Sequence, residues 1–341
     1  MTSQTTTHTS HPQSSRPTRW RCRAAYLAAL SLSLATAASG LAATPAWAAG
    51  GYQIAATIPV AGDPAGIALS PCGGRAYATD AGGDVSVINT RTNHVTATIG
   101  VGYFPIGIAV SPNGAHAYVA NTFSGNVSVI STATNQVTDS IGVTGRPAGV
   151  AVSPHGNIAY VTNALTGRVQ VVNTTNDHIA RSIDVGGSPV GVAFSPDGTR
   201  AYVAGGAGGV SVINTATNQV TATINAGPSP YWVAVSPNGA RAYVSNLSGS
   251  VGVINTTTNQ VIASIGTGLF AYGVAVSPDG THVYVTGNSD NDLSVIDTAT
   301  NQVVATVPGL PGAFGVTVSP DSRHIYVTNQ GNGTVSVITS P

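Results

Sequence analysis

The stretch Gly273-Val274-Ala275-Val276-Ser277-Pro278-Asp279-Gly280-Thr281-His282-Val283-Tyr284-Val285-Thr286 decides the fold, because close copies of it recur along the chain. Two short runs rich in β-branched residues flank Ser-Pro-Asp-Gly. Pro presets φ at the second position of a turn and Asp can bond the backbone, so the four residues suit a tight type I turn between antiparallel strands. Ser-Pro recurs at Ser70, Ser111, Ser153, Ser195, Ser236, Ser277 and Ser319, 41 or 42 residues apart. An aligned tyrosine follows each one: Tyr77, Tyr118, Tyr160, Tyr202, Tyr243, Tyr284 and Tyr326. Two more runs complete the unit, as in Val210-Ser211-Val212-Ile213-Asn214 and Gln219-Val220-Thr221-Ala222-Thr223-Ile224, joined by a turn-prone Asn-Thr-Ala-Thr-Asn. Alternation of period two with no sustained helical period predicts four strands, a to d, in every repeat. Hairpins in fours at this period describe the blades of an all-β propeller.

The two ends of the repeat region complement each other. The last repeat stops after strand c at Ile338, and Tyr52-Gln53-Ile54-Ala55-Ala56-Thr57-Ile58 aligns with the strand d of other repeats. An open solenoid would need a polar cap at each end. Two half-complete ends instead predict a ring: a seven-bladed β-propeller with four antiparallel strands per blade, the last blade closed by the N-terminal strand, leaving no exposed junction.

Among 341 residues, 41 are Gly and 20 Pro, and charged residues make up 7%. Every cation is Arg and every carboxylate side chain is Asp, so chemistry that needs Lys or Glu is excluded. Arg16, Arg19, Arg21 and Arg23 precede an apolar run from Ala24 to about Ala43, followed by Ala46-Trp47-Ala48. This reads as a secretory signal over 1–48, cleaved after Ala48, with the propeller occupying 49–341. The arginines form no twin pair, which favours the general secretion route. A retained membrane anchor is the alternative, but the run is short and diluted with Ser, Thr and Gly. Cleavage would remove Cys22 and leave Cys72 as an inert thiol or an intermolecular partner. The remaining chain has eight Arg against twelve Asp, a formal charge of −4. That balance argues against nucleic acid or an anionic membrane as partner. The expectation is a monomer, secreted or held at the cell envelope, with no integral membrane segment after cleavage.

The repeat resembles the YVTN family of β-propeller repeats. The motif is literal at Tyr160-Val161-Thr162-Asn163 and Tyr326-Val327-Thr328-Asn329, and nearly so at Tyr118-Val119-Ala120-Asn121 and Tyr243-Val244-Ser245-Asn246. The first repeat departs furthest, with Tyr77-Ala78-Thr79-Asp80, and the fourth and sixth end in Gly205 and Gly287. No Trp-Asp signature of WD repeats occurs. The resemblance implies the propeller fold and a bacterial surface-layer-like or secreted protein; it implies no particular activity.

Strand parity sends the d–a and b–c loops to one face and the a–b and c–d turns to the other. The first face is the more variable one, where an acquired site is expected. The repeated tyrosines are expected to pack between blades. Of the other aromatics, Tyr103, Phe104, Tyr231, Trp232, Phe270, Tyr272 and Phe314 lie in or beside d–a connections, and Phe123 lies in a b–c loop. They are expected to ring the mouth of the central channel, with Asp63, Arg146 and Arg168 as nearby polar groups. Such a surface suits a glycan, a peptide or protein segment, or a small molecule; the same side chains could instead plug the mouth. His116, His155, His282 and His324 fall in a–b turns and His94 and His178 in c–d turns, scattered on the opposite face. No metal ligand set converges, and no cofactor is expected. His116, His282 and His324 share a repeat position with Arg75, Arg200 and Arg241, which reads as a solvated basic rim. Asn288-Ser289-Asp290-Asn291-Asp292 could hold Ca²⁺ or be an ordinary turn. The residues favour a non-catalytic binding or scaffold protein over a lyase- or lactonase-type propeller enzyme, for which Asp63 and Arg146 could do proton and electrostatic work but Asp63 lacks an evident partner. A structural envelope protein overlaps the first reading.

Overall fold

A computed structural model describes residues 51–206 and 208–341. The leader expected over 1–48 lies outside the described residues; among the described residues no helix is long and apolar enough to cross a membrane. Seven four-stranded antiparallel sheets form the blades: 64–100, 105–142, 147–184, 192–224, 230–266, 271–308, and 313–339 completed by Gln53–Pro59. Gln53–Pro59 pairs antiparallel with Thr334–Thr339, Gln53 opposite Thr339 and Pro59 opposite Thr334. The N-terminal strand thus supplies strand d of blade 7, as the two incomplete ends require.

The hydrophobic cores lie in the seams between blades. Seven buried clusters occur, and each holds one repeated tyrosine; Tyr77 packs with Val85, Val87 and Ile99 of its own blade and Ile108, Val119 and Ile130 of the next. The seam from blade 6 to blade 7 also contains Tyr52, whose ring meets Tyr284 edge-on at 6.2 Å. Tyrosine hydroxyls reach the next blade's c–d turn: Tyr118 donates to Asp177 Oδ1 at 3.2 Å and Tyr160 to Asn218 Oδ1 at 2.7 Å. In the last blade Tyr52 stands where that turn would be.

The threonine of the Tyr-Val-Thr-Asn pattern has a definite task. Thr162 Oγ1 accepts the N–H of Gly149 in its own strand a and donates to the carbonyl of Val190 in the next blade at 2.6 Å. Thr79, Ser245 and Thr286 repeat this bridge toward Ile106, Tyr272 and Phe314. Thr328 closes the ring by donating to Ala65 O at 2.6 Å. Blades 2 and 4 carry Ala120 and Ala204 there. In blade 4, strand a shrinks to Val192–Phe194 and a backbone bond from Gly191 N to Tyr231 O, 2.9 Å, joins the blades directly.

The opposite face departs from the expected solvated rim. Arg75, Arg200 and Arg241 each donate to a threonine carbonyl in the next blade's c–d turn, at Thr132, Thr256 and Thr298. A guanidinium is long enough to span the seam and has donors to spare; the histidines in the same repeat position are shorter. Cys72, expected as an inert thiol or an intermolecular partner, lies on this face and is disulfide-bonded.

Candidate binding face

The second position of strand a holds Ala65, Ile106 and Ala148 in blades 1 to 3 and Tyr231, Tyr272 and Phe314 in blades 5 to 7; in blade 4 the matching Val190 precedes the shortened strand. The three aromatics close on one another: Tyr272 stacks on Phe314 at 4.6 Å, and Tyr231 meets Tyr272 edge-on at 4.9 Å and Phe314 at 6.1 Å. Trp232 lies 6.2 Å from Tyr231 and packs into the seam between blades 5 and 6. Together with Gly66, Ile106 and Ile108 across the channel they enclose a cavity of about 40 Å³. That volume holds a few waters and falls far short of a typical ligand pocket. Burial, with Tyr272 beside it, pushes the Tyr231 hydroxyl well above its ordinary pKa. These four aromatics act as a plug.

Tyr103, Phe104 and Phe123 do not join that ring, contrary to the expectation of one aromatic channel mouth. The physical reason is their place outside the pleat: Tyr103 and Phe104 precede Pro105, where strand a begins. The d–a and b–c loops of blade 2 are zipped by bonds from Thr122 N to Phe104 O and from Phe123 N to Tyr103 O. Ser124 Oγ accepts the Tyr103 N–H at 2.7 Å. Phe104 stacks on Phe123 at 4.6 Å, Tyr103 lies 5.9 Å from Phe123, and the Arg146 guanidinium sits 5.4 Å above the Phe123 ring. Tyr103 is 61% exposed and Phe123 52%. The result is an open saddle across the seam of blades 2 and 3, held there because Thr122 Oγ1 donates to Pro147 O of blade 3 at 2.8 Å.

Phe104 (φ 57°) and Phe270 (φ 55°) occupy the left-handed region, at matching loop positions in blades 2 and 6, as Ser229 (φ 58°) does in blade 5. Bulky residues there cost about 1–3 kcal/mol each, a strain that tends to gather at binding sites. Phe270, with Leu269, is exposed at the rim and stands 6.3 Å from Tyr272. Among the described residues, every exposed large apolar loop residue, Tyr103, Phe123, Leu165, Leu269 and Phe270, belongs to this face; the other exposed ones lie in outer strands.

The polar candidates separate. Arg146 joins the saddle, and Arg168 opens strand c of blade 3 on the same face. Asp63 sits in blade 1, where its N–H bonds Asp80 Oδ1 at 3.0 Å, away from Arg146. The two therefore form no acid/base pair. The loop at Asn288–Asp292 uses its side chains on backbone groups: Asp290 accepts from Leu269 N, Asn291 accepts from Gly312 N, and Asn288 donates to Ala313 O. Among the described residues no group of three or more His, Cys or Asp could hold a metal ion.

Asp292 is the strained member of that loop. Its Oδ1 is buried without a hydrogen-bond partner, and burial, then the Asp290 carboxylate, pushes its pKa from 3.8 up to about 6. A carboxyl raised by folding makes the fold most stable while protonated, and that stability is lost as pH rises through about 6. Asp292→Asn is expected to raise the melting temperature at pH 7.5 and to flatten its dependence on pH between about 4 and 6. A thermal melt series across that range checks both.

Larger clefts open on the opposite face. One of about 450 Å³ lies beside His155, Asn157 and Thr199, and one of about 320 Å³ beside Arg200 and Thr256. A third, about 270 Å³, lies beside Arg91, Asp321 and His324. All three occupy seams and are lined by the repeated turn residues, so the repeat itself generates them. The saddle departs from the repeat, and that makes it the better candidate. Its signal in the sequence was the register of each aromatic against the start of strand a; the Arg146–Phe123 contact had none.

No family model matches the chain, and no curated protein matches it in sequence. Among solved structures it is similar to one titled Kuenenia stuttgartiensis Hydrazine Synthase, with a TM-score of 0.75 and 25% identity over 81% of this chain and 95% of that one. Blade count, strand order and this likeness agree that the chain is a seven-bladed β-propeller.

Proposed function

We propose that this chain is a secreted or cell-surface propeller of the YVTN type that binds a ligand on its d–a/b–c face and performs no chemistry itself. The observation that carries this reading is the exposed Tyr103–Phe123–Arg146 saddle, built from loops of adjacent blades where the repeat would place small or polar residues. Aromatic and Arg side chains are the commonest anchors of binding surfaces. The similar structure bears an enzyme's name, and a lyase- or lactonase-type reading is the alternative. It would need an acid and a base converging at the channel mouth. The aromatic plug and the separation of Asp63 from Arg146 weigh against it.

A screen of glycans, peptides and metabolites against the full chain tests the face. Tyr103→Ala and Phe123→Ala are each expected to weaken a hit about tenfold or more, the range of a binding anchor. His155→Ala, on the opposite face, should leave it unchanged. Trp232→Ala should act first on stability, because Trp232 packs in a seam. Equal losses from Tyr103→Ala and His155→Ala would reject the assignment.

A further inference from the structure

The charge on the binding face is unevenly distributed. Among the described residues, Arg146 and Arg168 are the two arginines there; Arg75, Arg91, Arg200, Arg241 and Arg323 lie at turns of the opposite face and Arg181 in an outer strand. Aspartates share the face: Asp63, Asp80 and Asp84 in blade 1, Asp290 and Asp292 in blade 6, and Asp184 next to Arg168 in blade 3. Neither the Arg146 nor the Arg168 guanidinium makes a hydrogen bond or ion pair among the described residues. Asp184 is opposite Arg168 in the ladder, yet its Oδ1 takes the Gly186 N–H at 3.1 Å.

The spacing of the two arginines follows from the sheet. Pro147 pairs with Asn163, and Asn163 with Arg168, across three neighbouring strands. Arg146 immediately precedes Pro147, and Asn163 Oδ1 holds its N–H at 3.0 Å. Two inter-strand steps put the backbones of Arg146 and Arg168 about 10 Å apart. Guanidiniums are thus free to meet an anion on the side of the saddle that faces blade 3, while Tyr103 and Phe123 offer ring surfaces on the blade 2 side.

We propose that this saddle holds a carboxylated sugar, a uronic-acid unit of an acidic polysaccharide, its ring against Tyr103 and Phe123 and its carboxylate on Arg146 and Arg168. The inference rests on the binding-face reading above and names its ligand class. The C–H face of a pyranose is weakly positive and suits the negative face of an aromatic ring. Arg matches a carboxylate with a planar pair of donors, and it is always charged. The cation–π contact with Phe123 orients the Arg146 guanidinium without neutralising it. A peptide is the poorer fit. Peptides add to regular sheet edges or drop side chains into pockets, whereas the saddle is open, with Leu165 67% exposed beside it, and the outer strand of every blade is bulged.

Calorimetric titration of the full chain with a hexauronate, its carboxyl-reduced neutral counterpart, a sulfated hexasaccharide and an Asp-rich peptide tests the proposal. The hexauronate is expected to bind, and the neutral counterpart about tenfold or more weaker, the loss of charge-assisted hydrogen bonds. Arg146→Gln and Arg168→Gln should each weaken the hexauronate by a similar factor and leave the neutral sugar nearly unchanged. Tyr103→Ala should weaken both. Added salt should lower the affinity for the hexauronate alone. All these side chains are exposed, so unchanged melting temperatures confirm folded variants. Equal binding of the neutral sugar, or preferred binding of the sulfated sugar or the peptide, overturns the ligand class; if Tyr103→Ala still abolishes that binding, the face survives. Binding that ignores Tyr103→Ala overturns the face as well, and no binding of any probe overturns the proposal.

Discussion

Removal of residues 51–60 is expected to cost the ring on the order of 5 kcal/mol or more, lowering the melting temperature by roughly 10 °C or preventing folding. The strand Gln53–Pro59 carries the outer ladder of blade 7, and Tyr52 and Ile58 are 3% and 2% exposed. Each buried side chain of this size contributes about 1.5–3 kcal/mol, and the ladder bonds add to that. Its loss would also uncover Val335, Val337 and Ile338, which are fully buried beneath it. A synthetic peptide of residues 51–60 added in trans should restore part of the lost stability. An unchanged melting temperature in the deletion would sink the model of ring closure.

Gly149→Ala is expected to be nearly as damaging, by about 3 kcal/mol or more, through overpacking where nothing can move. A Cβ there would stand 2.2 Å from the Val190 carbonyl oxygen and 3.2 Å from Thr162 Oγ1. That carbonyl is itself held by the Thr162 hydroxyl, so relief would break the bridge between blades 3 and 4. The same clash recurs at Gly66, Gly107, Gly273 and Gly315, each facing a carbonyl of the next blade at 2.1 to 2.5 Å. Gly142→Ala is the control: it lies at an exposed strand end with open space around it, and denaturation should show almost no change. Similar midpoints for the two variants would contradict this account of the seams.

Architecture was legible because its determinants are local. Ser-Pro turns, two-residue alternation and the half-blades at the ends needed no knowledge of packing. The site was legible only by face. Whether an aromatic plugs the channel or stands in solvent depends on one or two positions of register, because the pleat reverses direction at every residue. Tyr103 and Tyr231 both belong to d–a connections, yet one precedes the strand's first proline and the other follows Pro230. Arg241 and His282 share a repeat position, and only side-chain reach separates an inter-blade donor from a surface histidine. The Gly at the third position of strand a carried a signal that composition alone hides: Trp232 replaces it in one blade.

The N-terminal closing strand also sets an order of events. Gln53 pairs with Thr339, almost the full length of the described chain away, whereas blades 1 to 6 each pair strands that are neighbours in sequence. During synthesis those six sheets can form as they emerge, each at low contact order. The strand Gln53–Pro59 must wait until Thr334–Thr339, its ladder partner, has been made. Until then the propeller is an arc with that strand unpaired, and it becomes a ring only when blade 7 gains its fourth strand.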